Sequence, residues 1–286
     1  MVSGMTKIYG IIGDPAAHSL SPIIQNTAFK EMGLDCLYIP FQVKNFELRA
    51  AIKGIRALNI YGFNVTMPHK IAIIPFLDHL NMVAKRIGAV NTVINNEGIL
   101  TGYNTDATGF IKALRENGVE PRGKNVVVFG AGGVSRAICF ALAEIDCVIS
   151  IVNRTIDRAW QLANLVSIVS SQKVKSFGTL SQNIHMVLDE ADIVVNATSI
   201  GMGETIGKSI VTADLLNSSM VVFDTIYNPV ETQLLKDAKK IGAKAIGGVD
   251  MLLWQGAIAF KKWTGVDAPF EIMANELNRV LTCNED

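Results

Sequence analysis

Cysteine is scarce in this sequence, and the few residues that occur are scattered: Cys36, Cys139, Cys147 and Cys283. No two of them have C-x-x-C spacing, and no cluster of histidine and cysteine suggests zinc. A disulfide framework is therefore not predicted, and we expect no metal site. Reduced thiols in a cytoplasmic protein are the simplest interpretation of this pattern.

Long apolar runs and an excess of one charge are also missing. No stretch approaches the roughly 18 consecutive apolar residues that a membrane-spanning helix needs. The first five residues carry no basic segment followed by an apolar run, so they do not resemble a signal peptide. Lysine plus arginine equals aspartate plus glutamate at 26 each. We therefore expect no nucleic acid and no membrane as partner, but a small molecule held by local polar groups.

Apolar side chains are abundant, at 49% of the 286 residues, which suffices for one large or two ordinary domains. Strand-like and helix-like segments alternate, which predicts an α/β fold with βαβ units and mostly parallel strands. The predicted strands cover residues 7–13, 37–43, 61–66, 89–95, 125–129, 148–152, 193–197, 220–224 and 244–246. The predicted helices cover 21–32, with Ser21 as N-cap, and 46–58, 83–87, 134–144, 252–264 and 270–281.

A glycine turn joins the strand at 125–129 to the helix that follows it. Glycines in such a turn let the backbone approach a pyrophosphate, whose charge lies at the helix N-terminus. The G-x-G-x-x-G fingerprint is incomplete, because Ser135 stands where the third glycine is expected. An ordinary tight turn is the alternative, but the strand and helix on either side favour a dinucleotide site.

The next strand ends in Asn153-Arg154-Thr155, about 20 residues after the glycine turn, where NAD enzymes carry an acid for the ribose hydroxyls. Arg154 instead suits a 2′-phosphate, by its charge and its bidentate geometry, and a carboxylate would repel that group. The sequence therefore favours NADP over NAD, with a solvated surface arginine as the alternative.

Several polar residues of the first half follow predicted strands, where open α/β sheets bind ligands. Each has a plain structural alternative: Ser21 as a helix cap, Lys70 as a solvated surface residue, and Asp106 as an acid in the first turn of a helix. Taken singly, none of these residues specifies a function.

Taken together, these residues lie in segments that resemble the shikimate dehydrogenases, in the order that this family has them. The resemblance covers roughly residues 8–265. The matching segments are Ser19 to Pro22, Asn64 to Lys70, Gly88 to Thr92, Gly102 to Asp106, Gly130 to Gly133, Asn153 to Thr155, Asn196 to Thr198, Asp224 to Pro229 and Gly248 to Gly256.

The resemblance implies a role for each matching position. Lys70 and Asp106 would be the catalytic pair. The substrate carboxylate and hydroxyls would be held by Ser19, Ser21, Thr66, Asn91, Tyr227 and Gln255. The cofactor pyrophosphate would lie on Gly130, Ala131, Gly132, Gly133 and Val134, and the 2′-phosphate among Asn153, Arg154, Thr155 and Arg158. The nicotinamide would lie near Ile226, Gly248 and Met251.

The resemblance also implies a fold and a reaction. It implies two α/β domains flanking a cleft, the second a Rossmann-type NADP-binding domain. Residues 1–105 plus 251–286 would form the substrate-binding domain, and 106–250 the NADP-binding domain. The activity would be NADPH-dependent, reversible reduction of 3-dehydroshikimate to shikimate in aromatic amino acid biosynthesis, by a monomer or homodimer. An ammonium at Lys70 could protonate the developing alkoxide, but whether Lys70 or Asp106 transfers the proton stays open.

Three alternatives remain. A quinate/shikimate dehydrogenase that uses NAD shares most motifs, although Thr66 and Arg154 argue against it. A non-catalytic NADP-binding regulator is opposed by the intact Lys70 and Asp106. A likeness confined to the second half, which also resembles parts of glutamyl-tRNA reductases, is opposed by the motifs of the first half. Asp250 is unexpected beside a cofactor, and it could change cofactor affinity or only cap the following helix.

Overall fold

The computed structural model describes residues 2–283, which divide into two compact units. Unit 1 runs to Asp106 and resumes at Leu253, and unit 2 is Ala107–Leu252. Each unit has a six-stranded sheet accompanied by helices, so the predicted α/β fold class is confirmed.

Strands and helices are numbered in chain order. The strands are β1 (Lys7–Gly13), β2 (Cys36–Gln42), β3 (Gly62–Val65), β4 (His79–Leu80), β5 (Thr92–Asn96), β6 (Ile99–Tyr103), β7 (Asn125–Phe129), β8 (Val148–Val152), β9 (Lys175–Phe177), β10 (Ile193–Asn196), β11 (Val221–Asp224) and β12 (Lys244–Ile246). The helices are α1 (Ser21–Glu31), α2 (Leu48–Ala57), α3 (His69–Ala72), α4 (Met82–Ile87), α5 (Asp106–Glu116), α6 (Gly133–Ala143), α7 (Ile156–Ser170), α8 (Ser181–Asp189), α9 (Gln233–Lys240), α10 (Val249–Thr264) and α11 (Phe270–Cys283).

The sheet of unit 1 has the strand order β2-β1-β3-β5-β6-β4 and is mixed. β1 is parallel to β2 and β3, whereas β5 is antiparallel to both β3 and β6. The prediction of mostly parallel strands is therefore only partly met in this unit. A two-residue hairpin makes β5 and β6 antiparallel, and in it Glu97 and Gly98 both have positive φ angles, at 52° and 86°.

The start of α1 differs from the prediction. Leu20 is the N-cap and makes no side-chain capping bond, while Ser21 is the first helical residue. The hydroxyl of Ser19 accepts a hydrogen bond from the Ser21 backbone N–H at 3.2 Å. The predicted N-cap at Ser21 is therefore wrong by one residue, because Leu20 is the N-cap and Ser21 already has helical geometry.

The sheet of unit 2 has the order β12-β11-β10-β7-β8-β9, and all its pairs are parallel. Relative to its own first strand this is the doubly wound order, with β7 and β10 adjacent at the switch point. The core of this sheet is built from apolar strand residues that include Val127, Val194 and Val222. The carboxyl ends of β7 and β10 therefore mark the place where such a fold binds its ligand.

Within residues 2–283 no helix combines the length and apolarity that crossing a bilayer requires. The same residues hold no group of three or more potential metal ligands. Cys36, Cys139 and Cys147 are free thiols, and the side chain of Cys283 lies outside what the structure describes.

Candidate active site

Lys70 and Asp106 form an ion pair in unit 1. Lys70 is the second residue of α3, just after β3, and Asp106 begins α5, just after β6. The Lys70 Nζ lies 2.6 Å from the Asp106 Oδ2, and both side chains are largely buried. Because few water molecules can screen a pair at such depth, the ammonium and carboxylate hold each other in a defined geometry.

Asn91 fixes the other oxygen of that carboxylate. Its Nδ2 donates to the Asp106 Oδ1 and to the Thr105 Oγ1, both at 2.8 Å. Its Oδ1 accepts from the backbone N–H of Thr105 at 2.7 Å. Asp106 is thus held by a cation on one oxygen and by an amide on the other, which leaves the carboxylate little freedom to rotate.

Gln255 reaches the same cluster from a distant part of the chain. It lies on α10 and is buried, and its Oε1 accepts from the Asn91 Nδ2 at 3.3 Å. Of the predicted site residues in unit 1, the structure therefore joins Lys70, Asp106, Asn91 and Gln255 by direct hydrogen bonds or an ion pair.

The remaining predicted substrate ligands lie at the start of α1, after β3 or in unit 2. Ser21 is buried at the start of α1, and Ser19 is half-buried just before it. Thr66 follows β3 and lies beside Gly13 at the end of β1, where a Cβ atom would overlap the Thr66 methyl group. Tyr227 belongs to unit 2, in the segment between β11 and α9.

Sequence reasoning assigned no role to the polar residues beneath the ion pair. Asn64 and Tyr38 are both buried, and the Tyr38 hydroxyl donates to the Asn64 Oδ1 at 2.7 Å. Asn64 in turn donates to the Asn91 carbonyl at 3.0 Å. A signal was present, since an asparagine inside the apolar strand β3 must find hydrogen-bond partners when it is buried.

In unit 2 the glycine turn has the geometry of a phosphate cradle. Gly130 has a φ of +114°, and a Cβ there would come within 2.7 Å of the Ala197 carbonyl oxygen. Ser135 is fully buried, and its hydroxyl donates to the same carbonyl at 3.3 Å. Ser135, which replaces the third glycine of the fingerprint, therefore connects the turn by a hydrogen bond to Ala197, just after β10.

The N-terminus of α6 is open. Gly132 is the N-cap, no side chain caps the helix, and a Cβ at Gly132 would meet no atom within 4 Å. The backbone N–H groups of the first turn, from Gly133 onward, and the positive end of the helix dipole are suited to an anion. The turn from Gly130 through Ala131 to Val134 thus has the right shape for a pyrophosphate.

The segment after β8 presents two exposed arginines. Arg154 lies in the turn and Arg158 in the first turns of α7, with Thr155 as the N-cap of that helix. Asn153 shapes the turn by donating from its Nδ2 to the Thr155 carbonyl at 2.9 Å. Within the described chain neither guanidinium forms an ion pair, so both have donors to offer a phosphate.

The three residues predicted near the nicotinamide belong to two segments that touch. The backbone N–H of Gly248 donates to the Ile226 carbonyl at 3.1 Å. A Cβ at Gly248 would overlap the Thr225 carbonyl, so only glycine allows this approach. Met251 is buried in the first turn of α10.

Asp250 has a partner within unit 2. Its Oδ2 accepts from the Asn117 Nδ2 at 2.7 Å, and that amide also donates to the Ala113 carbonyl near the end of α5. Asp250 therefore links the start of α10 to the end of α5.

Asp224, at the end of β11, is a buried acid that sequence reasoning left without a role. It is 0% exposed, and it accepts from the Asn196 Nδ2 at 3.0 Å, the Ile226 N–H at 3.0 Å and the Thr232 hydroxyl at 2.8 Å. Burial raises the pKa of Asp224, and these hydrogen bonds oppose that rise. The carboxylate orders the segment that leads from β11 to Ile226.

These features define a class: a dehydrogenase with one doubly wound, dinucleotide-binding unit and one α/β unit that carries a lysine–carboxylate pair. Comparisons with known proteins specify it further. Three family models match the chain: the shikimate dehydrogenase substrate binding domain over residues 11–93, shikimate / quinate 5-dehydrogenase over 113–238, and the shikimate 5′-dehydrogenase C-terminal domain over 248–277.

A protein named shikimate dehydrogenase (NADP(+)) from Methanocaldococcus jannaschii is 46% identical over 280 residues, covering 97% of this chain and 98% of that protein. A crystal structure of a shikimate dehydrogenase in complex with NADP+ superposes with a TM-score of 0.92 at 45% identity, covering 98% of both chains. The Thermus thermophilus shikimate 5-dehydrogenase in complex with NADP(H) and shikimate has a TM-score of 0.87 at 36% identity, covering 96% of this chain and 100% of that one. The chain belongs to the shikimate dehydrogenase family, which confirms the predicted resemblance and excludes a likeness confined to the second half.

Proposed function

We propose that this chain is an NADP-dependent oxidoreductase that interconverts 3-dehydroshikimate and shikimate. The observation that carries the proposal is the Lys70–Asp106 ion pair at 2.6 Å, because a regulator without activity has no need of a buried proton donor. Full-length relatives that are named NADP-dependent shikimate dehydrogenases support it.

The residues of unit 2 fit NADP(H). A side chain at Gly130 would strike the Ala197 carbonyl, so glycine is needed for this tight turn, and the uncapped α6 N-terminus has open space at Gly132. Arg154 and Arg158 offer positive charge where a 2′-phosphate would lie, and no acid stands at the end of β8 to repel it. When bound, NADPH supplies the hydride for the ketone. Ile226, Gly248 and Met251 are proposed to hold the nicotinamide.

The ion pair would supply the proton. An ammonium has three donors, and Lys70 uses one of them on Asp106, which leaves donors for the substrate oxygen. As negative charge develops on that oxygen, the ammonium stabilises it and delivers the proton. Asp106 holds the lysine side chain in a fixed position. In the direction of shikimate oxidation, the neutral amine of Lys70 accepts the proton.

The substrate carboxylate and hydroxyls would be bound by the polar groups around this pair. Ser19 and Ser21 are proposed for the carboxylate, because their hydroxyls lie at the start of α1, where the helix dipole favours an anion. Ring hydroxyls would contact Thr66, Asn91, Tyr227 and Gln255, of which Asn91 and Gln255 already adjoin the ion pair.

The division of labour between domains is part of the proposal. Residues 1–105 plus 251–286 would bind substrate, and 106–250 would bind NADP. The match of residues 11–93 to a substrate binding domain supports the first assignment, and the doubly wound sheet supports the second. We propose a monomer or homodimer in the cytoplasm, where the free thiols of Cys36, Cys139 and Cys147 would stay reduced.

The test is a comparison of initial rates with shikimate or quinate as substrate and NADP or NAD as cofactor, followed by the absorbance of the NADPH or NADH formed. The proposal expects shikimate with NADP to give the highest kcat/KM. An equal or higher kcat/KM with quinate or with NAD would favour the alternative of a quinate/shikimate dehydrogenase that uses NAD. A folded protein that binds NADPH but shows no activity with any of these four combinations of substrate and cofactor would support the alternative of a non-catalytic NADP-binding regulator.

A further inference from the structure

A chain of buried hydrogen bonds runs from the ion pair to Tyr38. The Tyr38 hydroxyl donates to the Asn64 Oδ1 at 2.7 Å, and the Asn64 Nδ2 donates to the main-chain carbonyl of Asn91 at 3.0 Å. The Asn64 Nδ2 also donates to the Thr92 hydroxyl, which donates to the Asn91 Oδ1, both at 3.1 Å. The Asn91 side chain donates to the Asp106 Oδ1 at 2.8 Å. We call these five residues the amide path. None of them is more than 4% exposed, so water does not compete with these bonds.

The amide path has a defined direction. The Asn91 carbonyl can only accept, so the NH2 group of Asn64 must face it, and the Oδ1 of Asn64 must face Tyr38. The Tyr38 hydroxyl is the donor that satisfies this oxygen. Without the hydroxyl, a buried acceptor would have no partner on that side, and the Asn64 amide would shift to find one.

Tyr38 itself is held in place by groups other than its hydroxyl. Its backbone N–H donates to the Asn26 Oδ1 and its carbonyl accepts from the Asn26 Nδ2, both at 2.8 Å. Its ring lies 5.9 Å from the ring of Trp263 on α10. Removing only the hydroxyl therefore changes the amide path and leaves the packing of the ring in place.

We infer that Tyr38 is a positioning residue for the Lys70–Asp106 pair, which acts through Asn64 and Asn91. By keeping Asn91 aimed at one carboxylate oxygen, it reserves the other oxygen for Lys70. This inference rests on the proposed function.

The test is Tyr38→Phe, with Tyr9→Phe as the matched control. Tyr9 is buried in the same unit and its ring also contacts Trp263, at 5.3 Å, but it is not part of the amide path. We expect Tyr38→Phe to lower kcat about tenfold, because small misplacements of a catalytic pair are costly. The KM for NADP should be unchanged, and the solvent deuterium isotope effect on kcat should rise, because proton delivery is the slowed step. Tyr9→Phe should have the same kcat, the same KM for NADP and the same isotope effect as the wild-type protein.

Thr92→Val is a second variant that covers a failure of Tyr38→Phe to fold. The Thr92 hydroxyl accepts from the Asn64 Nδ2 and donates to the Asn91 Oδ1, both at 3.1 Å, so its removal cuts the link between Asn64 and the Asn91 side chain. Valine suits the strand β5 in which the residue lies. We expect the same fall in kcat from this variant. A kcat and isotope effect equal to those of the unchanged protein in the variants that fold would overturn the inference. Absence of shikimate oxidation in the unchanged protein would instead refute the proposed function.

Discussion

The two units each contain a buried aspartate that follows a strand, and the two carboxylates have opposite surroundings. Asp106 in unit 1 is 4% exposed and faces the ammonium of Lys70. Asp224 in unit 2 is 0% exposed and receives hydrogen bonds from an amide, a hydroxyl and a backbone N–H. Only Asp106 is paired with a cationic side chain.

The difference shows which kind of buried acid suits catalysis. The carboxylate of Asp106 can orient a proton donor, whereas the bonds that Asp224 accepts order the chain around it. Asp224 connects β10, β11 and the segment before α9, and so supports Ile226. This contrast supports the proposal that unit 1 performs the chemistry and unit 2 binds the cofactor.

The largest effect is expected from Lys70→Ala. Loss of the proton donor should lower kcat by about a thousandfold, in the range typical of general acid catalysis, while KM for shikimate changes far less. The exposed Lys53 in α2 of the same unit provides a control, since Lys53→Ala removes a charge outside the site. An unchanged kcat in Lys70→Ala would remove the lysine from the mechanism.

A smaller effect, on binding alone, is expected in unit 2. Arg154→Ala should raise KM for NADP about tenfold, the loss expected for a charge-assisted hydrogen bond at an exposed site. KM for NAD and kcat should change little. Arg122→Ala is the control, because Arg122 is also exposed in unit 2 and pairs with Asp146. An equal rise in KM for NAD and for NADP would show that Arg154 does not contact the 2′-phosphate.

The smallest effect is expected from Asp224→Asn, and it concerns stability against pH. The pKa of Asp224 is raised above its ordinary 3.8 by burial. Between that value and the folded-state pKa the folded protein binds more protons than the unfolded chain, so this group's contribution to stability falls as pH rises through the window. The asparagine variant lacks this contribution. As pH rises from 3.8 to the folded-state pKa, the Tm of the variant minus the Tm of the wild-type protein should therefore increase. Thermal unfolding of both proteins at several pH values measures this difference. A difference in Tm that is independent of pH, or of opposite sign, would contradict the assignment.

Sequence reasoning succeeded where signals were local. The strand β7, the glycine turn and α6 were predicted because an apolar run meets glycines and then a helical pattern. The strand β6 was missed because the hairpin before it uses Glu97-Gly98, which is not the common Asn-Gly or Asp-Gly turn.

The candidate site was predictable in its parts and not in its connections. Lys70, Asn91 and Asp106 were named from motifs, but that Asn91 holds the carboxylate depends on how β5 and β6 pair. The hydrogen bond between Asn91 and Gln255 joins residues 164 positions apart, which no spacing rule could reveal. The amide path below them needs the register of β1 with β2 and β3, which only the folded sheet defines.

The division of labour between the units is tested most directly by the dissociation constant of NADPH for Lys70→Ala, measured by fluorescence titration. If unit 1 performs the chemistry and unit 2 binds the cofactor, the variant that has lost kcat should bind NADPH as tightly as the unchanged protein. Binding weakened as much as in Arg154→Ala would contradict that division.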